Sequence, residues 1–244
     1  MDVQRYLIYF VIITAFGILY NKWEQKNIKQ KHESNVHHIK QFLLNKEATS
    51  DIDINSKPFL WIHVENDLNS RNWESFNSRS NREVNKPYMF YTIKSIITKC
   101  EKTFNIFLID DTSFDKLIND WNINLKSVDV TTRQKIRNFA LAKILYIYGG
   151  VMVPPSFLCM RNLKDIYYKN INKHGMFSCE KHDDTSYVTQ TRFIPDNTFM
   201  GCKKNNKQML EYVKYYETML SGDYTSESDF KDLPNKFLSN MVND

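Results

Sequence analysis

With 244 residues, 42% of them hydrophobic and 14% aromatic, the chain is long enough for one globular domain with a real core plus an appendage. Its formal charge of +5 comes from interspersed Lys, Arg, Asp and Glu with no long basic block, so nucleic acid is not expected as a partner. Cys100, Cys159, Cys179 and Cys202 form no C-x-x-C pair and the six histidines are scattered, which argues against structural zinc and for free, buried thiols in a reducing compartment.

The first predicted element is Tyr6 to Tyr20 (YLIYFVIITAFGILY), uncharged between Arg5 and Lys22. It is short against the roughly 20 residues of a typical membrane span, but Trp23 and the snorkelling stems of Arg5 and Lys22 extend its reach. No small-x-small cleavage site follows, so the reading is an uncleaved single-pass anchor over 1–22 rather than a signal peptide. Lys22, Lys26, Lys29 and Lys31 after the span favour a cytoplasmic domain. Residues 23–56 read as a polar stem with one amphipathic piece, Val36 to Leu44. His37 and His38 within it point apart on a helix and read as solvated.

The globular domain is expected over 57–244. Phe59 to Val64 (FLWIHV) reads as a buried strand, and Pro87 opens a helix over Tyr88 to Cys100. Phe104 to Ile109 (FNIFLI) is a near-continuous apolar run of the kind found in strands covered on both faces, and it stops at Asp110-Asp111. Thr112 or Ser113 is expected to cap a helix over FDKLINDW. Thr131 or Thr132 is expected to cap a long helix ending at Gly149-Gly150. Short strands follow over Gly175–Glu180 and Asn197–Cys202, then an amphipathic helix from Asn205 to Leu220. This order implies an α/β fold with a mostly parallel sheet, whose ligands bind beyond the carboxyl ends of strands at a switch in strand order.

The densest signal is Arg137 to Asn162 (RNFALAKILYIYGGVMVPPSFLCMRN): a helix, a Gly-Gly, a short strand, then Pro154-Pro155-Ser156. It resembles nucleotide-sugar glycosyltransferases of the GT-A fold, of the family 32 and capsular-polysaccharide-synthesis type, where a helix runs into GG-[IV]-[YW]-x-D-x-D. KPFLWIHVEN is similar to their opening strand, FNIFLIDD to their second strand with its acidic pair, and Phe199-Met200-Gly201 to a later small-residue turn. The resemblance implies a GT-A-like domain whose donor site draws on His63, Asp110, Asp111, Arg137, Lys143, Gly149, Gly150 and Ser156. It also implies an acceptor-side carboxylate as general base, Asp196 first and then Glu180; Asp183 and Asp184 read as solvated. The implied partners are a nucleotide-sugar donor, a glycan, lipid or protein acceptor, and the membrane. Golgi-type members place this domain in the lumen, opposite to the positive-inside rule, so the side of the membrane stays open.

The chain departs from the pattern at the metal. Pro154 and Ser156 stand at the two aspartate positions, and Asn138 and Leu141 stand where members often carry an Asp and an Arg. Without the carboxylate pair there is no strong ligand for the Mn2+ or Mg2+ that bridges to the diphosphate. Three readings follow. The transferase is metal-independent and uses Arg137, Lys143, Arg161 and Lys203-Lys204 as its cationic clamp; or Asp110 and Asp111 hold a metal instead; or the domain binds without turnover. Asp110-Asp111 also reads as an ordinary capping turn, and Gly149-Gly150 as an ordinary helix end.

Overall fold

The structure, a computed structural model, describes Tyr9 and residues 13–27, 57–65, 87–180, 195–222 and 227–243. The chain divides into two compact units, Met1–Phe42 and Leu43–Asp244. In the first, helix α1 covers residues 13–27, so the helix continues past Lys22 into the polar segment rather than ending with the apolar run. Among the described residues no helix is long and apolar enough to cross a membrane. The amphipathic piece, His37 and His38 lie outside the described residues.

The second unit is a mixed α/β fold: a five-stranded, mostly parallel sheet with flanking helices. Its strands are β1 (Phe59–His63), β2 (Asn105–Ile109), β3 (Gly150–Met152), β4 (Met176–Glu180) and β5 (Pro195–Cys202). Its helices are α2 (Pro87–Cys100), α3 (Phe114–Leu117), α4 (Val130–Tyr148), α5 (Lys164–His174), α6 (Lys207–Ser221) and α7 (Glu227–Asn243). Strand order is β2-β1-β3-β5-β4, with β1 parallel to both β2 and β3, and β5 antiparallel to β3 and β4. The chain therefore leaves β1 in one direction to make β2, then returns past it to make β3. Right-handed crossovers place α2 and α4 on opposite faces of the sheet when the direction reverses in this way.

Side-chain alternation along the strands matches this arrangement. Phe59, Trp61, Phe107, Ile109 and Met152 join one buried cluster with Phe139, Ala140, Ile144 and Leu145 of α4 and Met209, Tyr212 and Tyr216 of α6. Leu60, Ile62, Ile106, Leu108 and Val151, also buried, point to the other face. There α2 contributes Ile93, Ile96 and Ile97 and α5 contributes Tyr167 and Ile171. Helix α4 is buried on most of its circumference because it lies between the sheet and α6. Each such Leu, Ile or Phe removed from water is worth about 1.5–3 kcal/mol.

The junction of α4 and β3 is a point of close backbone approach. Gly149 (φ +74°) and Gly150 (φ +101°) both adopt left-handed conformations. A Cβ on Gly150 would overlap the Phe59 carbonyl of β1, and one on Gly149 would sit 2.7 Å from the Lys204 amide nitrogen. The Trp61 indole N–H donates to the Gly149 carbonyl at 3.0 Å, and the Trp61 ring stacks on Phe107 at 5.2 Å. At the other end of β3 the Val153 N–H still donates to Trp61 O, at 3.0 Å. Pro154 has no N–H to continue the ladder, so the strand ends where the prolines predict.

Two expected elements differ. FDKLINDW forms only the four residues of α3, preceded by a turn of 3-10 helix, Asp111–Ser113. Ile118 then becomes extended and buries its side chain, and Asp120 adopts φ 64°. The capping side chains also lie two or three residues nearer the amino terminus than expected. Asp110 caps with Ser113 in a reciprocal box, and Asp129 Oδ1 accepts from the Thr132 N–H at 3.0 Å. Helices α5 and α7 have no counterpart in the sequence reading.

Gly150→Ala is expected to destabilise the protein by about 3 kcal/mol or more, because φ strain and overlap with Phe59 act together. Urea denaturation of the two proteins measures this directly, and equal midpoints would refute the close-approach argument.

Candidate functional site

Four strand ends gather at one edge of the sheet. His63, Ile109, Met152 and Glu180 close the parallel strands, and the amino end of the antiparallel β5 lies beside them. Between β1 and β3, where strand order reverses, lies a cavity of about 210 Å3. Its walls are His63 and Glu65 after β1, Tyr88 and Met89 from α2, Gln134, Asn138 and Leu141 from α4, Met152 to Ser156 after β3, and Thr198 of β5. Gln134, Asn138 and Leu141 share a stripe of α4 because residues three and four apart face the same way. The lining mixes hydrogen-bonding side chains, of which Glu65 is the carboxylate, with apolar ones from Met89, Leu141 and Met152 to Pro155. Among the described residues that line it, none is Lys or Arg.

Behind His63 sits a buried ionic group. His63 Nε2 lies 3.0 Å from Asp111 Oδ1, and its ring stacks on Phe114 at 5.4 Å. Arg137, only 3% exposed, grips Asp111 with Nε at 2.9 Å and a terminal nitrogen at 2.7 Å, and reaches Glu65 at 3.5 Å. Burial alone raises the Asp111 pKa, but hydrogen bonds from His63 and Arg137 and the charge of Arg137 outweigh it and hold the carboxyl at about 2. The carboxylate is thus ionised and can only accept, so His63 donates its Nε2–H to it.

The acidic pair divides its work. Burial also opposes ionisation of Asp110, and hydrogen bonds from Thr112 and Ser113 more than compensate, lowering its pKa. Its Oδ1 accepts from the Thr112 amide, the Thr112 hydroxyl and the Ser113 hydroxyl at 3.0, 2.7 and 2.9 Å. Asp110 is therefore the cap and Asp111 the partner of Arg137. Both Asp111 oxygens are engaged by His63 and Arg137, so the two aspartates do not present a pair of open carboxylates to a divalent cation. Among the described residues no three His, Cys, Asp or Glu side chains come together as a metal site.

Of the residues expected at the donor site, His63 and Ser156 line the cavity, and Asp111 and Arg137 stand behind it. Lys143 does not belong there. It lies about 140° round α4 from Asn138, 3.6 Å from Glu217 of α6 and 5.4 Å above the Phe139 ring. Gly149 and Gly150 occupy the amino end of β3, away from the cavity, where they permit backbone contact. Lys203 and Lys204 follow the carboxyl end of β5, which is also the far end, and Arg161 is exposed on the loop after β3.

On the acceptor side, Asp196 Oδ1 accepts from the Thr198 amide and hydroxyl at 2.8 and 2.6 Å, beside the cavity but not in its wall. Glu180 is exposed at the end of β4, opposite Pro195. Asp183 and Asp184 lie outside the described residues. Sequence reasoning passed over Glu65, Tyr88, Gln134 and Thr198; a Glu two residues past a buried strand end was the available signal for the first.

All four cysteines are free. Burial pushes the Cys159 and Cys202 thiols up to about 12, so they are poor nucleophiles at neutral pH. A second cavity, of about 280 Å3, lies by the amino end of β4 between α5, α6 and α7. It is lined by Met176, Phe177, Leu238 and Met241 with His174, Ser178 and Gln208, and among the described residues that line it none is a carboxylate. No family model, curated protein or solved structure matches the chain.

The stability that Asp111 contributes, on the order of 2 kcal/mol, is fully present above the unfolded carboxylate's pKa near 4 and fades as pH falls through about 2. Asp111→Asn is expected to flatten the stability profile between pH 5 and 2. Denaturant midpoints across that range test it; a variant with the wild-type slope would contradict the ion-pair assignment.

Proposed function

We propose that this chain is a membrane-anchored glycosyltransferase-type protein of GT-A-like fold. It holds a nucleotide-sugar donor at the carboxyl ends of β1 and β3 without a metal, and passes the sugar to a hydroxyl of a glycan, lipid or protein. One coincidence carries the reading. The positions at which the resemblance names functional side chains, Asn138, Leu141, Pro154 and Ser156, come from two separate segments yet line a single cavity. That cavity lies at the reversal of strand order, where open α/β sheets bind their ligands.

The wall chemistry supports a polyhydroxyl ligand. Gln134, Asn138, Ser156 and Thr198 offer donors and acceptors, while Leu141, Met152 and Val153 supply apolar contact. An inverting transfer needs a group to take the acceptor proton. Glu65 and His63 line the cavity and become the first candidates, ahead of Asp196 and Glu180. Asp111 and Arg137 act one layer back by fixing the orientation of the His63 ring.

The anchor draws support from α1, whose described residues are all exposed, including Ile13, Phe16, Leu19 and Trp23. The part of α1 before Asn21 is uncharged and largely apolar, so it is stable where something apolar covers it, and a bilayer meets that need. The side of the membrane follows from none of this.

A second reading, binding without turnover, is favoured by one observation. Among Arg137, Lys143, Arg161, Lys203 and Lys204, none lines the cavity, so these cations do not face a leaving diphosphate. Thermal denaturation of the full chain with UDP- and GDP-sugars, with and without manganese, separates the readings. The expected result is a rise of several degrees at saturation that manganese does not alter and Asn138→Leu removes. Donor consumption should fall about 100-fold in Glu65→Gln or His63→Gln. A shift with no sugar transferred selects the binder. No shift with any nucleotide sugar sinks both readings, and a shift that requires manganese contradicts the metal-free site.

A further inference from the structure

Beside the mouth of the cavity the second unit exposes large apolar side chains that its own core does not use. Tyr88 and Tyr91 project from the first turn and a half of α2, with Tyr91 67% exposed. Leu158 and Met160, the latter 72% exposed, lie on the loop after β3. Three hydrogen bonds join these two segments into one surface. The Thr92 hydroxyl donates to Pro155 O at 2.6 Å, the Cys159 N–H donates to Ser95 Oγ at 2.8 Å, and the Asn162 amide donates to Lys99 O at 2.7 Å. Cys159 is buried against Cys100, with sulfurs 4.0 Å apart, so its neighbours on either side are turned outward. Tyr91 stands one helical turn before Ser95, and Tyr88, three residues earlier, lines the cavity.

We infer that this face, Tyr88, Tyr91, Leu158 and Met160, seats on an anionic bilayer surface and presents the cavity mouth to a membrane-borne acceptor. The inference rests on the anchored-transferase reading for the acceptor, while the surface itself stands on its exposure and charge. Two tyrosines beside a Leu and a Met are the composition of a membrane-interface contact: amphipathic rings at headgroup depth, with aliphatic side chains reaching deeper. Exposed Lys99, Lys102 and Arg161 border the patch and Lys164 follows, against Glu101 and Asp165 on the same segments. A basic margin of this kind favours anionic headgroups. A glycan platform would account for the two rings but leave Leu158 and Met160 unexplained. The chain also carries α1, a second exposed apolar element, and an anchored protein works at high effective concentration beside lipid.

The test uses the full chain with Cys179→Ser, the other native thiols being buried, and an environment-sensitive fluorophore on Met160→Cys or, as a second position, Leu158→Cys. A control carries the label on Glu211→Cys, exposed on α6. Each is reconstituted in phosphatidylcholine vesicles with or without phosphatidylserine, and quenched by nitroxide-labelled lipid. The expected result is several-fold stronger quenching at 160 and 158 than at 211. Quenching should increase with phosphatidylserine and weaken in Lys99→Glu and Arg161→Glu. Equal quenching at 160 and 211, in protein that floats with the vesicles, overturns the inference and leaves the anchor standing. Protein that fails to float overturns the anchor and this face together. A label shielded in lipid-free protein as its concentration rises assigns the face to a second copy and overturns the bilayer.

Discussion

β3 can lie against β1 only because Gly150 has no side chain. Its φ of +101° and its contact with the Phe59 carbonyl are both closed to any L-residue with a Cβ. The position of β3 decides the rest of the unit. It sets the reversal of strand order, the gap between two strand ends, and the placement of Pro154 to Ser156 as the wall of that gap. The indole N–H of Trp61 holds the Gly149 carbonyl from the β1 side, so the turn is fixed by backbone contact and one buried hydrogen bond. A dipeptide expected to face a ligand instead makes the site possible from the other end of its strand.

Charge in the site is arranged to hold shape. Arg137 is buried and bidentate on Asp111, and the same guanidinium reaches Glu65 in the cavity wall. A buried pair of this kind adds little net stability over well-packed apolar groups, yet breaking it strands a charge. Its effect here is to fix the geometry of His63 and Glu65, the two groups in the cavity able to take a proton. Where the family pattern carries charged side chains facing the ligand, this chain carries Asn138, Leu141, Pro154 and Ser156. The described wall of the cavity therefore offers hydrogen-bonding and apolar groups at the positions where that pattern carries charge.

Much of the fold was legible in the sequence. The runs FLWIH and NIFLI are apolar at every position but His63 and Asn105 because both faces of their strands are covered, and all but Asn105 are buried in the structure. Pro154-Pro155 marked a strand end because proline cannot donate to the ladder. The short α3 was misread because FDKLINDW has helical spacing, while Ile118 is drawn out of the helix into the core. The site was legible in part: Asp111, Arg137 and His63 were singled out, but as separate contacts to a donor rather than as contacts to one another.

By itself the sequence determined the α/β class, the strand ends and the lack of carboxylates at Pro154 and Ser156. These are local matters of periodicity, of proline and glycine stereochemistry, and of which residues carry a carboxylate. Only the tertiary structure decided that Asp111 and Arg137 neutralise each other, that Lys143 turns to Glu217 on α6, and that Asn138, Thr198 and Glu65 share a wall. Each of those depends on which elements pack together. A hydrogen bond between residues 26 apart, or a cavity built from five segments, has no periodicity along the chain for a sequence to display.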